Sequence, residues 1–257
     1  MDHSLDHLPH DLDDGLAARA RIGLIVLATD HTIEHEWRLI LADLDGVVLH
    51  HARIWNEPQI TPETLRQMET GLEATASVIM PGQPLSVLAF DWTSATMVIG
   101  EEGVFARLRE ARPEARPTTP ITAAFAAFRA VDARRLAVLT PYRPDVNESV
   151  RRYIEARGYD VPVFGSFSEE DDHLAARISV RSIRDAAIDL GRDPRVDAVF
   201  VACTSLRVAG AVAEIEAAIG KPVTSSNHAM AWHALRLAGI TDPLRRWGRL
   251  FANAGGS

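Results

Sequence analysis

The side chain with the clearest chemistry in this chain is Cys203, its only cysteine. It closes an apolar run at 197–202 and precedes a helix-forming stretch at 206–219. A thiol between a strand end and a helix start is expected to have its thiolate stabilised by free amides and the helix dipole, which lowers its pKa. Thr204, Ser205 and their backbone N–H groups could bind a carboxylate or an enolate oxygen beside it. A buried structural cysteine is the usual fate of a lone thiol. The strand-end position, and a matching turn elsewhere in the chain, favour the reactive reading here.

Other residue sets could do chemistry and are weaker. His31 and His35 stand four apart around Glu34, a spacing that can put two zinc ligands on one helical face, yet the order is not HExxH and no third ligand is evident. His3, His7 and His10 lie among Asp2, Asp6, Asp11, Asp13 and Asp14; a solvated flexible tail over 1–20 is the simpler expectation than a metal site. His228 follows Asn227 and could approach a site, whereas His233 reads as a packing residue. Arg207 could pair with an anion, although a surface arginine is the commoner outcome. The turn Ala28-Thr29-Asp30-His31 contains no glycine, so no Gly-rich phosphate cradle is present and no nucleotide or other cofactor is expected.

The elements that must position Cys203 alternate along the chain. The short apolar run at 22–28 reads as a strand, as do 47–54 and 86–90 and a second set at 135–140, 161–164 and 197–202. Between them lie helical patterns. Asp30 can cap one that carries Ile33, Trp37, Ile40, Leu41 and Leu44. Thr61-Pro62 opens another, and one at 180–190 is expected to stop at Gly191. Such alternation predicts an α/β fold of two open parallel-sheet, Rossmann-like halves with right-handed crossovers. The halves repeat. Trp92-Thr93-Ser94 matches Cys203-Thr204-Ser205, and Pro117-Thr118-Thr119 matches Pro222-Val223-Thr224. A pseudo-twofold duplication, with 21–118 plus 229–257 as one half and 119–228 as the other, turns the two strand ends toward each other. Ligands of open α/β sheets bind at the carboxyl ends of strands, so the site is expected in the cleft between the halves.

Composition narrows the partners. Of the 257 residues 24% are charged, the formal net charge is −8, and no Lys/Arg-rich run exists, which argues against nucleic acid and anionic membranes. No apolar run reaches the 18–20 or so residues of a membrane span, and the expectation is a cytoplasmic protein.

The frame Ala-Cys-Thr-Ser at 202–205, Thr-Pro-Tyr at 140–142 and Ser-Ser-Asn-His-Ala-Met-Ala-Trp at 225–232 together resemble the aspartate/glutamate racemase superfamily, in its maleate isomerase and arylmalonate decarboxylase branch. The stretches 93–102 and 118–128 look most like the ectoine-utilization EutA-like group. The resemblance implies a cofactor-independent enzyme with a pseudo-twofold site for a small carboxylate, found as a homodimer or larger homo-oligomer in many members. Two cysteines commonly flank the substrate and move a proton at its α-carbon. Maleate isomerases use the first as a nucleophile on the double bond, and arylmalonate decarboxylases work with one. Carried over, Cys203 takes the second-cysteine role, Tyr142 and Asn227 hold a carboxylate, and Thr93, Ser94, Thr204 and Ser205 add donors. Thr29 and Asp30 form the remaining wall.

One position departs from that pattern: Trp92 occupies the first-cysteine place. Indole neither abstracts a proton at neutral pH nor attacks an alkene. Asp91, one residue earlier, could act as a base only if the turn were re-registered; otherwise it caps a strand end. The expectation is a Cys203-dependent racemase or isomerase acting by proton transfer, set in ectoine or hydroxyectoine breakdown. Its alternatives are a carboxylate-binding protein without turnover, with Trp92 filling the site, and a one-cysteine decarboxylase.

Overall fold

The computed structural model describes residues 7–56, 62–93, 96–97, 100–169 and 171–252. Along the chain, β1 (Ala20–Leu27), α1 (Ile33–Leu41), β2 (Val47–Ile54), α2 (Pro62–Ser77), β3 (Val87–Phe90), α3 (Glu101–Ala111) and β4 (Arg116–Thr118) come first. Next are α4 (Pro120–Ala130), β5 (Arg135–Thr140), α5 (Pro144–Glu155), β6 (Asp160–Ser166), α6 (Asp172–Ala175), α7 (Val180–Gly191) and β7 (Ala198–Val201). Last come α8 (Val212–Ile219), β8 (Val223–Ser225), α9 (Ser226–Leu237) and α10 (Arg249–Ala252). The strands form two four-stranded parallel sheets ordered β2-β1-β3-β4 and β6-β5-β7-β8, the expected α/β architecture.

Both faces of each sheet are covered, which is why the central strands read as continuous apolar runs. In β1 the alternate residues Ile22, Leu24 and Val26 face a core with Trp37 and Ile40 of α1 and Trp232 of α9. Ile25 and Leu27 face the opposite core, with Leu72 of α2, Phe90, Trp92 and Phe105 of α3. In the second sheet, Leu136, Val138 and Phe200 pack with Phe125 and Phe128 of α4, while Ala137, Leu139 and Val201 pack with Ile183 of α7 and Ile215 of α8. The helix after each sheet thus helps cover the other one: α4 follows β4 and packs on the second sheet, and α9 follows β8 and packs on the first.

Two local expectations change. Gly191 is the last residue of α7 and has no positive φ; a Cβ there would sit 2.6 Å from Ile219 and 2.8 Å from Val199, so glycine is needed for close packing rather than as a stop. The chain after Cys203 is not helical from 206. A short 3-10 turn, Ala209–Ala211, precedes α8, so the helix begins nine residues after the thiol, at Val212. No helix of the described residues is long and apolar enough to cross a membrane.

Candidate active site

The carboxyl ends of β1, β3, β5 and β7 converge where the halves meet. Asp30 ends the turn after β1. Its Oδ1 accepts the N–H groups of Thr32 (2.6 Å) and Ile33 (2.8 Å), so it does cap the start of α1. Thr32 then donates its hydroxyl across the cleft to the Ser205 carbonyl at 3.0 Å. Thr29 donates its hydroxyl to Asp172 Oδ2 at 3.1 Å, and the rings of His31 and His173 meet at 2.6 Å between nitrogens. Each contact joins a first-half turn to a second-half element, so one set of bonds aligns both strand ends.

Glu36 anchors this alignment from beneath. Its Oε1 accepts the N–H groups of Val208 and Ala209, each at 2.7 Å, and its Oε2 accepts Asn227 Nδ2 at 2.8 Å. Burial pushes its carboxyl up to about 7 against the pull of those donors. The same Asn227 nitrogen donates to the Thr204 carbonyl at 2.8 Å, so both amide hydrogens of this fully buried side chain are used, while its Oδ1 closes no hydrogen bond. Sequence reasoning passed over Glu36; its place among apolar neighbours on the inner face of α1 was the available signal.

Cys203 is buried and sits at φ 133°, a conformation that costs a residue with a side chain roughly 1–3 kcal/mol. Its N–H donates to Ser226 Oγ at 3.1 Å, which holds the turn in place. The thiol faces the Tyr142 hydroxyl and the amide and hydroxyl of Ser205. Those groups favour a thiolate, but burial dominates and pushes the thiol up to about 12. This corrects the expectation of a pKa lowered by the helix that follows: α8 begins only at Val212, burial outweighs the nearby donors, and the resting group is a thiol.

At the matching turn of the first half, the Trp92 ring joins the apolar cluster of Leu27, Phe90 and Phe105 and meets Phe90 edge-on, centroids 6.3 Å apart. Asp91 is fully buried with neither oxygen hydrogen-bonded, and faces Asp30, the Thr204 hydroxyl and the Leu27 backbone. Thr93 is buried with its hydroxyl unpartnered, and Ser94 lies outside the described residues. The structure therefore brings Thr29, Asp30, Tyr142, Cys203, Thr204, Ser205 and Asn227 to one junction and adds Asp91. His35 is exposed on α1, and no group of three His, Cys, Asp or Glu suited to a metal occurs among the described residues.

Comparison with known proteins bears on this arrangement. The family model for arylmalonate decarboxylase matches residues 101–251. The maleate isomerase of Nocardia farcinica is 27% identical over 239 residues, which cover 90% of this chain and 94% of that protein. The arylmalonate decarboxylase of Bordetella bronchiseptica is 32% identical over 136 residues, 52% of this chain and 57% of that protein. In three dimensions, the Nocardia farcinica maleate cis-trans isomerase bound to TRIS matches with a TM-score of 0.80 at 26% identity, over 91% of this chain and 98% of that one. Unliganded arylmalonate decarboxylase shares the fold at 0.76 and 24% identity, over 91% and 99% of the two chains. These relatives support the branch and not its ectoine-utilization group. With more than half of its length under one family model and nine-tenths of it aligned to an isomerase, this chain is an enzyme of the maleate isomerase and arylmalonate decarboxylase family.

Proposed function

We propose that the protein moves a proton at the carbon next to the carboxylate of a small acid, without a cofactor, and that Cys203 carries that proton. The observation behind this is the place of the thiol: the chain's only sulfhydryl is buried where the carboxyl ends of the two sheets meet, faced by Tyr142 and Ser205, and such burial favours its protonated form. A protonated thiol is an acid. It suits delivery of a proton to an enediolate, whose oxygens the hydroxyls of Thr93, Thr204 and Ser205 would stabilise. Covalent attack on a double bond requires a thiolate instead.

The protonated thiol also favours a second reading, a one-cysteine decarboxylase. Loss of carbon dioxide from a malonate-type acid leaves an enediolate that requires only an acid, and Cys203 is one. The ectoine setting rests on stretches 93–102 and 118–128 alone, so ectoine and hydroxyectoine belong among the probes. Proton NMR in deuterium oxide with phenylmalonate, maleate and those two compounds tests the reading. Exchange or decarboxylation that Cys203→Ser abolishes supports it; turnover equal in wild type and Cys203→Ser refutes it.

A further inference from the structure

We propose that Asp91 and Asp30 form a carboxylate pair sharing one proton, and that Asp91 is the second proton-transfer group of the site, acting from the β3 side while Cys203 acts from the β7 side. The proposal rests on the proton-transfer reading above.

Three buried carboxylate oxygens carry it. Neither Asp91 oxygen closes a hydrogen bond, and Asp30 Oδ2 is likewise unpartnered while Oδ1 takes two backbone N–H groups. A buried carboxyl left without partners is expensive to keep, and a fold does not gain stability from it. Both side chains face the Thr204 hydroxyl, next in sequence to Cys203. Asp91 and Asp30 follow the paired strands β3 and β1, and Thr32, two residues beyond Asp30, donates its hydroxyl to the Ser205 carbonyl, which ties this strand end to the Cys203 turn.

Two carboxylates in contact inside a protein cannot both ionise. Burial and the nearby Asp30 charge hold the Asp91 carboxyl well above the usual carboxylate range; burial raises Asp30 as well, but there two backbone amides work against it in favour of the charged form. The proton rests on Asp91 and can pass to the free Oδ2 of Asp30. Once there, it leaves Asp91 as a base. The α-C–H bond of the substrate then breaks, its proton goes to Asp91, and its electron pair forms the enediolate. The Cys203 S–H bond breaks in turn, the proton bonds to carbon from the other face, and the sulfur keeps the electron pair. The reverse sequence serves the opposite enantiomer.

The test follows deuterium incorporation from each enantiomer of 2-phenylpropionate, and into phenylmalonate and maleate, for wild type, Asp91→Asn and Cys203→Ser. Asp91→Asn is nearly isosteric, and Asp91→Ala serves as the second variant. The pair predicts that both Asp91 variants slow exchange of one enantiomer at least about 100-fold and the other only a few-fold. A purely structural role would slow both alike. A substrate-free arm reads the infrared carbonyl bands of protonated carboxyls at neutral pH; Glu36, raised to about 7, contributes to both proteins, and a further component is expected in wild type that Asp91→Asn lacks. Identical bands in the two proteins, or full exchange in Asp91→Asn while Cys203→Ser is inactive, overturn the pair alone. Wild-type silence on every probe, or exchange in Cys203→Ser equal to wild type, overturns the proton-transfer reading itself.

Discussion

Asp30 and Asp91 face each other inside the protein with three of their four carboxylate oxygens unpartnered, directly beside the turn that carries Cys203. The cost of that arrangement is measurable. A group whose folded pKa is raised stabilises the fold below its ordinary value, 3.8 for aspartate, and loses that contribution as pH rises through the folded value. Asp91→Asn is therefore expected to be more stable than wild type by about 1–3 kcal/mol at pH 8, with the difference shrinking toward pH 4. Urea unfolding at the two pH values checks this.

Cys203 holds a positive φ that glycine adopts without strain. Cys203→Gly should therefore match or exceed wild-type stability, by up to about 1 kcal/mol, while activity disappears. Thermal unfolding beside the turnover assay separates the two effects. Marked destabilisation would show that side-chain packing, rather than backbone strain, dominates at this turn.

Glu36 joins α1 to the 208–209 backbone and to Asn227 with three accepted hydrogen bonds. Glu36→Gln places an NH2 group among N–H donors, and a loss of about 2–4 kcal/mol is expected. Denaturant titration reads it. The wild-type carboxyl, raised to about 7, also makes stability decline between pH 4.5 and 7, a slope the variant should lack.

Acid should weaken the fold through histidine. His228 is buried between Thr224 and the Trp247 carbonyl, and burial holds it down to about 4; His233, against Thr118, is likewise held to about 4. Lowered values mean stability present above 6.5 and lost as pH falls toward 4. Glu36 and Asp91 act in the opposite sense over the same window, so the histidine contribution is read as a difference: from pH 6.5 to 4 the melting temperature of wild type should fall relative to that of His228→Gln.

Trp92 shows where sequence reasoning stopped. Its alignment with Cys203 in the repeat is plain in Asp91-Trp92-Thr93-Ser94, and places the indole at the cleft. In the fold, a large apolar ring after an all-apolar strand gains more by joining Phe90 and Phe105, and the turn presents Asp91 toward Thr204 instead. Trp92→Cys is accordingly expected to open a cavity and cost about 3–5 kcal/mol without creating a second catalytic thiol. Urea unfolding and the exchange assay check both parts.

The central strands were legible because their apolar residues are nearly continuous, as at 135–140 for β5; β2 matches 47–54 although His50, His51 and Arg53 interrupt it at the sheet edge, and the three-residue β4 and β8 were too short to show a period. The site was legible where it is local, at Cys203-Thr204-Ser205. Contacts between distant residues, such as Thr29 with Asp172 and Glu36 with Asn227, depend on how the two sheets dock, and that of Asp30 with Asp91 on the pairing of β1 with β3; no spacing along the chain encodes either.

The proposed function requires the Cys203 thiol to move a proton at carbon. Proton NMR in deuterium oxide, with wild type and Cys203→Ser side by side on phenylmalonate and the 2-phenylpropionate enantiomers, tests it most directly. Deuterium incorporation or carbon dioxide loss is expected in wild type and none in Cys203→Ser. Equal turnover by both proteins, or none by wild type, would contradict it.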